Sequence, residues 1–494
     1  MERLTFNVKS TRGPAVVAGR AVARRAGPSR VARVNQKIAA FRERHDADYL
    51  WMLTFTTLLF FRPQDQLPPL EPLHLAELTA IAGLGAMAVR RLNAGLTVAK
   101  VNAEVIGVVM LGAVIILTIP FSFWPGGSLK VFSDIYVKII LIFALMVSTI
   151  TTPRRIRQMT WVMMLASGYI AARGVFDYLR GVNLVEGNRL RGAIGGMFEN
   201  PNDLALNLVT FLAPTLFIII QDRKTSRRLF ACVLATLMLA AIVCTKSRSG
   251  FLGLVAMGAV VVFYTARLKP ALVFGILLAG LLAIPAMPQS FWDRMDSIMN
   301  AEEDPSGSRE ARIRLFNQGI EVFAQNPITG IGAGQFQNYT GPEMVEKWRV
   351  THNAWLQVAA ELGIFGLCIF FALVVRGYKA SFASLRILRG TRRTRSPVAY
   401  GAGWRRSAAP PPNPLGLTPE DERILEMNAH GMIAAFVGWT ICSFFASVAF
   451  NWTLYYVLAL AVAGREILTQ RRAEMAAEPE PARTPAPRLV RAHA

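Results

Sequence analysis

The sequence predicts an all-α polytopic membrane protein with about twelve transmembrane helices and one large outer loop that contains an amphipathic helix. Three observations predict it. Of the 494 residues, 53% are hydrophobic and only 17% charged, below the roughly one quarter with which soluble domains solvate their surfaces. The apolar residues come in long runs, among them 105–121, 136–151, 203–220 and 354–375, each near the ~20 residues a helix needs to cross a bilayer core. Lys and Arg gather in the links between these runs and in the two tails, where membrane topology puts them. The same composition excludes collagen, a coiled coil, a secreted disulfide scaffold and a mostly disordered chain.

Residues 1–45 carry eleven Lys and Arg and no apolar run long enough for a signal-peptide core. They read as a basic cytoplasmic tail lying on anionic membrane lipid. Spans are expected near 50–61, 74–89, 103–121, 134–151, 158–178, 203–220, 229–245, 250–266, 271–287, 352–375, 428–449 and 451–464. The chain thus divides into the tail 1–45, a helical block 46–287, an outer loop 288–351 and a second helical block 352–464. Within that second block, 376–427 reads as a basic cytoplasmic linker containing Pro410, Pro411 and Pro412, and 465–494 reads as a disordered cytoplasmic tail. With the N-terminus inside, 39 of the 54 Lys and Arg fall on the inner side. That asymmetry orients the chain with both termini cytoplasmic.

The net charge of +22 is therefore topological, and nucleic acid is not an expected partner. Cys232, Cys244, Cys368 and Cys442 all sit in apolar runs and act as small hydrophobes. No CxxC pair, HExxH or Cys/His cluster is present, so no metal site and no cofactor are expected. The stretch "GIGAGQF" lacks the G-x-G-x-x-G register and a preceding strand; its glycines read as tight turns. In "ENPND", Asn-Pro-Asn reads as a helix start with Asp203 near the cap.

The positive charges on the outer side are the ones topology leaves unexplained. Arg189 and Arg191 lie in "NRLRGAIGGMFENPND", Arg248 in the short turn "CTKSRSG", and Arg309, Arg312 and Arg314 open a helix-like stretch from Ser308 to Gln325. His352 stands in "VTHNAW", where the loop re-enters the membrane. Any one of these could be an interfacial anchor. Together, on one face, they suit an enzyme acting on a lipid-linked anion, because guanidinium forks hold phosphate bidentately and imidazole takes a proton near neutral pH. On a helical wheel Ile313, Phe316, Ile320 and Phe323 form an apolar stripe, Arg312 flanks it, and Arg314 falls on the polar side. If the stripe packs onto the membrane domain, Arg312 is carried to the junction and Arg314 stays solvated.

The series "FENPND", "SRSG", "REARIRLFNQGIEVFAQNPITGIGAGQF", "THN" and "AAELGIFG" resembles the O-antigen ligase and polymerase superfamily over about 189–375. The resemblance implies a metal-independent glycosyltransferase, multi-pass in a bacterial inner membrane, with 288–351 as its periplasmic loop. It implies transfer of glycan from undecaprenyl diphosphate to a hydroxyl acceptor, either the lipid A core (ligase) or a second lipid-linked glycan (polymerase). The family's functional positions correspond to Arg248, Arg312 and His352, with Asn353 beside the histidine as a substrate contact. Arg191 matches a further basic position more loosely, and Phe316 stands where a tryptophan is usual. On this reading Arg248, Arg312 and Arg191 neutralise charge developing on the departing diphosphate. His352 takes the acceptor proton, and attack opposite the leaving group inverts the anomeric centre. The competing reading is a multi-pass transporter or flippase of a lipid-linked oligosaccharide. Such proteins place polar residues at mid-membrane depth, where only Lys138 and Arg173 are basic candidates.

Overall fold

The computed structural model describes residues 46–63, 68–185, 188–192, 198–266, 308–339, 350–394 and 413–477, with a few single positions between 270 and 289. The basic tail 1–45, nearly all of the span expected at 271–287, and the tail beyond 477 lie outside the described residues.

The described chain is helical apart from a two-residue antiparallel hairpin, β1 (Leu184–Val185) with β2 (Arg189–Leu190). In order, the helices are α1 (Ala47–Phe61), α2 (Leu75–Asn93), α3 (Ala103–Thr118), α4 (Pro125–Val131), α5 (Val137–Thr149), α6 (Pro153–Leu179) and α7 (Pro201–Gln221). They continue with α8 (Thr225–Thr245), α9 (Arg248–Ala266), α10 (Ser308–Gln325), α11 (Ala354–Thr394), α12 (Pro419–Ser443) and α13 (Trp452–Ala477). One turn of π-helix, Phe132–Tyr136, joins α4 to α5. Among the described residues, seven helical stretches are long and apolar enough to cross a membrane, and the chain is a multi-pass, all-α membrane protein. Large apolar side chains stand exposed on its flanks, such as Ile81, Leu117, Leu229 and Phe263. In water such a surface would be an aggregation site; in a bilayer it is the solvated one.

Helix starts follow local chemistry. Asn102, Thr152, Asn200 and Thr418 each accept a backbone N–H of the first turn with their side chains, and the last three precede a proline at the first helical position. Proline loses nothing there, since that N–H has no intrahelical partner. In "ENPND" the cap is Asn200, and Asp203 lies in the first turn.

Helix α7 is the hub: 83% of its apolar stretch is buried, against 33% for α9, and α8, α9 and α12 pack around it. Ion pairs tie helix ends together on one face. Asp48 holds Arg90 at 2.7 Å, the buried Glu104 holds both Arg376 and Arg465 at 2.8 Å, Lys100 meets Glu466 and Arg157 meets Glu420. Pairing of this kind offsets the cost of burying the Asp48 and Glu104 carboxylates. The basic members of these pairs, Arg90, Lys100, Arg157, Arg376 and Arg465, are all among the Lys and Arg that the sequence count expects on the inner side.

Two expected boundaries shift. Residues 376–394 are not linker: α11 runs for 41 residues, its far half burying Ala380, Ser384, Leu385 and Leu388 and pairing Arg392 with Glu422 and Glu426. No strong helix breaker stands between Gly377 and Gly390, and the packed face carries the helix on. The turn between the last two helices is longer than expected, because α12 begins at the Thr418 cap and ends at Ser443.

Candidate active site

Arg248 is the first residue of α9. The chain leaves α8 through Lys246 in the left-handed region, φ +47°, an uncommon conformation outside glycine. Ser247 then caps α9 by accepting the Gly250 N–H at 3.1 Å. The Ser247 hydroxyl also donates to Asn202 Oδ1 at 2.8 Å. Arg189, 5% exposed, donates to that same oxygen at 3.0 Å and to the Thr245 carbonyl at 3.2 Å. The turn bearing Arg248 is thus braced by a buried cation and by the start of α7.

His352 sits at φ +48°, immediately before α11. Asn353 caps that helix, its Oδ1 accepting the N–H groups of Trp355 and Leu356 at 2.9 and 3.0 Å. Thr351 bonds the Asn353 carbonyl and the Ser447 hydroxyl, each at 3.0 Å. A histidine held in the left-handed region between two such anchors has its backbone over-determined by its surroundings, as strained functional positions are.

Arg312 comes from α10, whose start at Ser308 and end at Gln325 coincide with the helix-like stretch in the sequence. The buried stripe differs from the expected one. Leu315, Gly319 and Val322 face inward, Gly319 against Leu356 and the two apolar residues in a small core with Ile331, Phe336 and Ala360. Ile313, Phe316 and Ile320 remain about half exposed. The wheel set its axis by residue bulk, whereas the close approach to α11 is made at a glycine. Arg312 precedes this stripe by three and seven residues and still reaches the junction; Arg314 is exposed.

The segment after α10 docks on α11. Gly330, Gly332 and Gly334 all have positive φ, as tight-turn glycines do. The loop pairs with a break in α11 at Gly363, φ +66°: Ile331 N–H donates to Ala360 O, Gly332 N–H to Glu361 O, and Ile364 N–H to Pro327 O. The buried carboxylate of Glu361 accepts Gly334 N–H at 2.9 Å and Phe336 N–H at 3.4 Å. Sequence reasoning quoted this glutamate in "AAELGIFG" but gave it no role, and it likewise left Arg189 unassigned.

These elements enclose a cavity of about 710 Å³ lined by Arg248, Arg312, His352 and Asn353. Apart from Ser249 and Thr351, its other walls are apolar, from Leu252, Ile313, Phe316, Ile441, Phe444 and Phe445. No described lining residue is acidic. The N-termini of α9 and α11 both open here, and their backbone partial charges add to the guanidinium groups. The arrangement suits an anion carried on an apolar chain. Four of the five sequence-nominated residues are brought together. Arg191 is not among the described lining residues; it is exposed, its backbone N–H donating to Asn183 O. Among the described residues no group of three or more His, Cys, Asp or Glu could hold a metal ion.

No curated protein matches the chain. Residues 230–371, the stretch that carries Arg248, Arg312, His352 and Asn353, match the family model of O-antigen ligase, and this match supports the resemblance to the O-antigen ligase and polymerase superfamily.

Proposed function

We propose that the protein transfers glycan from an undecaprenyl-diphosphate carrier to a hydroxyl acceptor, at a site on the periplasmic face of a bacterial inner membrane. The convergence of Arg248, Arg312 and His352 on one half-apolar cavity carries this reading. The diphosphate sits between the two arginines and the start of α9, where charge building on the leaving oxygen is met by donors already in place. The polyprenyl chain follows the apolar wall of Leu252, Phe444 and Phe445 toward the bilayer. His352 accepts the proton of the attacking hydroxyl, and displacement from the far side inverts the sugar's anomeric carbon. The leaving diphosphate is neutralised by guanidinium groups, so the reaction needs no divalent metal. Arg191 stands outside this set and contributes at most to distal parts of the glycan. The acceptor is the lipid A core or a second lipid-linked repeat.

The test is transfer by purified protein in lipid, with undecaprenyl-diphosphate oligosaccharide as donor and each acceptor supplied separately. Formation of a longer or capped glycolipid that depends on His352 supports the reading. ATP- or gradient-dependent movement of the donor across the bilayer without new glycosidic bonds would replace it with the flippase reading.

A further inference from the structure

A second cavity, of about 660 Å³, opens between α1, α2 and α5, and no residue of it belongs to the arginine–histidine site. Its walls are apolar, with Leu84, Leu141 and Ile142 among them. Its mouth carries Arg62, His74, Glu77, Asp134 and Lys138, with the Lys138 ammonium on Glu77 at 2.7 Å. The spans that end or begin at these residues place the mouth on the same face as Arg248 and His352. Both cavities are built on strained backbone. Of the six described non-glycine residues with positive φ, Arg62 and His74 line this cavity and His352 lines the other, with Lys246 two residues before Arg248.

One segment joins the two. Phe444 and Phe445 line the arginine–histidine cavity, Trp452 lines the second, and Ser447 between them holds Thr351. Trp452 follows Phe445 by seven positions, so these lining residues are at most about 25 Å apart along even a fully extended chain.

We propose that this second cavity seats the acceptor, a lipid-anchored carbohydrate, while the arginine–histidine cavity seats the donor. The inference rests on the transfer reaction proposed above, which requires two lipid-borne substrates on one face. The chemistry of the mouth selects the class. Among the described residues, carboxylates and cations alternate there with no net excess of either, which suits hydroxyl-rich sugar: Asp134 and Glu77 accept from hydroxyls, and Arg62 and Lys138 donate to them. A bare phosphate would call instead for a lining like that at Arg248, where no described residue is acidic. The apolar walls below take the lipid part, and the sugar end extends across the bounded separation toward His352.

Binding of two fluorescent probes to full-length protein in phospholipid nanodiscs tests this without needing turnover: rough lipopolysaccharide ending at the core, and undecaprenyl-diphosphate-linked oligosaccharide. Ala80→Trp fills the second cavity, and Asp134→Asn with Glu77→Gln alters only its mouth should the tryptophan variant fail to fold. Both should weaken lipopolysaccharide binding at least tenfold, or halve the stoichiometry of the undecaprenyl probe if the protein is a polymerase. Arg248→Ala should instead weaken the undecaprenyl probe at its remaining site. The proposal is overturned if the mouth variants change neither probe, if Arg248→Ala and the mouth variants weaken the same site equally, or if phosphatidylglycerol displaces the probe as well as unlabelled glycolipid does. A wild type that binds both probes at separate sites and transfers nothing would sink the transfer reaction and leave the glycolipid site standing.

Discussion

The guanidinium of Arg189 and the side-chain oxygen of Asn202 meet at 3.0 Å beneath the turn that presents Arg248. Neither residue lines the cavity. Arg189→Ala should therefore act through position: it strips donors from Asn202 Oδ1 and Thr245 O in a buried setting, at a cost of about 1–3 kcal/mol. A lowered unfolding temperature together with a lost response to Arg248→Lys would show that the two residues act through one turn. An Arg189→Ala protein of wild-type stability and rate would refute the brace.

Charge and geometry separate in the cavity itself. Arg248→Lys and Arg312→Lys keep the positive charge and lose the planar fork, so transfer should fall by roughly tenfold or more. Arg314→Lys, on the exposed side of the same helix, should be close to silent. Initial rates normalised to inserted protein decide it; equal losses at Arg312 and Arg314 would undo the placement of α10.

His352→Ala should lose on the order of a hundredfold in transfer while keeping donor affinity, because the histidine acts on the acceptor hydroxyl. A variant that transfers normally, or one that has lost donor binding, assigns the proton elsewhere.

Excess chelator should leave transfer by the purified protein intact. Loss of activity that Mg²⁺ or Mn²⁺ restores would show that the arginines alone do not neutralise the leaving group.

Orientation can be read with a thiol reagent that does not cross membranes. A cysteine at Ser308 should label from outside intact inner-membrane spheroplasts, and one at Ser396 should not. The reverse pattern would put every proposed site residue in the wrong compartment.

Gly363→Ala should be costly. Its φ is +66°, and an added Cβ would lie 2.3 Å from the Ile328 carbonyl oxygen; conformational strain alone costs on the order of 1–3 kcal/mol. Gly258→Ala, where nothing lies within 4 Å, is the control and should be neutral or slightly stabilising in its helix. Thermal unfolding in detergent distinguishes the two.

How much of this was legible in the sequence follows from what pattern can and cannot carry. Long apolar runs located most of the described helices, because length and hydropathy are local properties, and the helix-like stretch from Ser308 to Gln325 coincides with α10. Arg248, Arg312 and His352 were nominated by their expected side of the membrane and Asn353 by the resemblance, and the cavity gathers all four. The buried face of α10 was misjudged, since the contact is made at Gly319 against Leu356, and a glycine adds nothing to an apolar stripe. Arg189 and Arg191 are two residues apart in one hairpin strand and its exit, and composition could not tell the buried brace from the exposed neighbour. Glu361 was invisible as an anchor because its partners are backbone N–H groups, which every residue but proline has.

The pairing of Glu361 with the glycine loop also sets an order of events while the chain is being made. Gly334 leaves the ribosome 27 residues before its carboxylate partner, and Ala360, which closes the small core of α10, follows just as late. Until the start of α11 has reached the site face, the segment carrying Arg312 has neither its hydrogen-bond acceptor nor the last wall of its core. A nascent chain therefore exposes Arg248 well before it can place Arg312 and His352 opposite. A cavity with Arg248, Arg312 and His352 all in place exists only after the helix that follows the loop has formed.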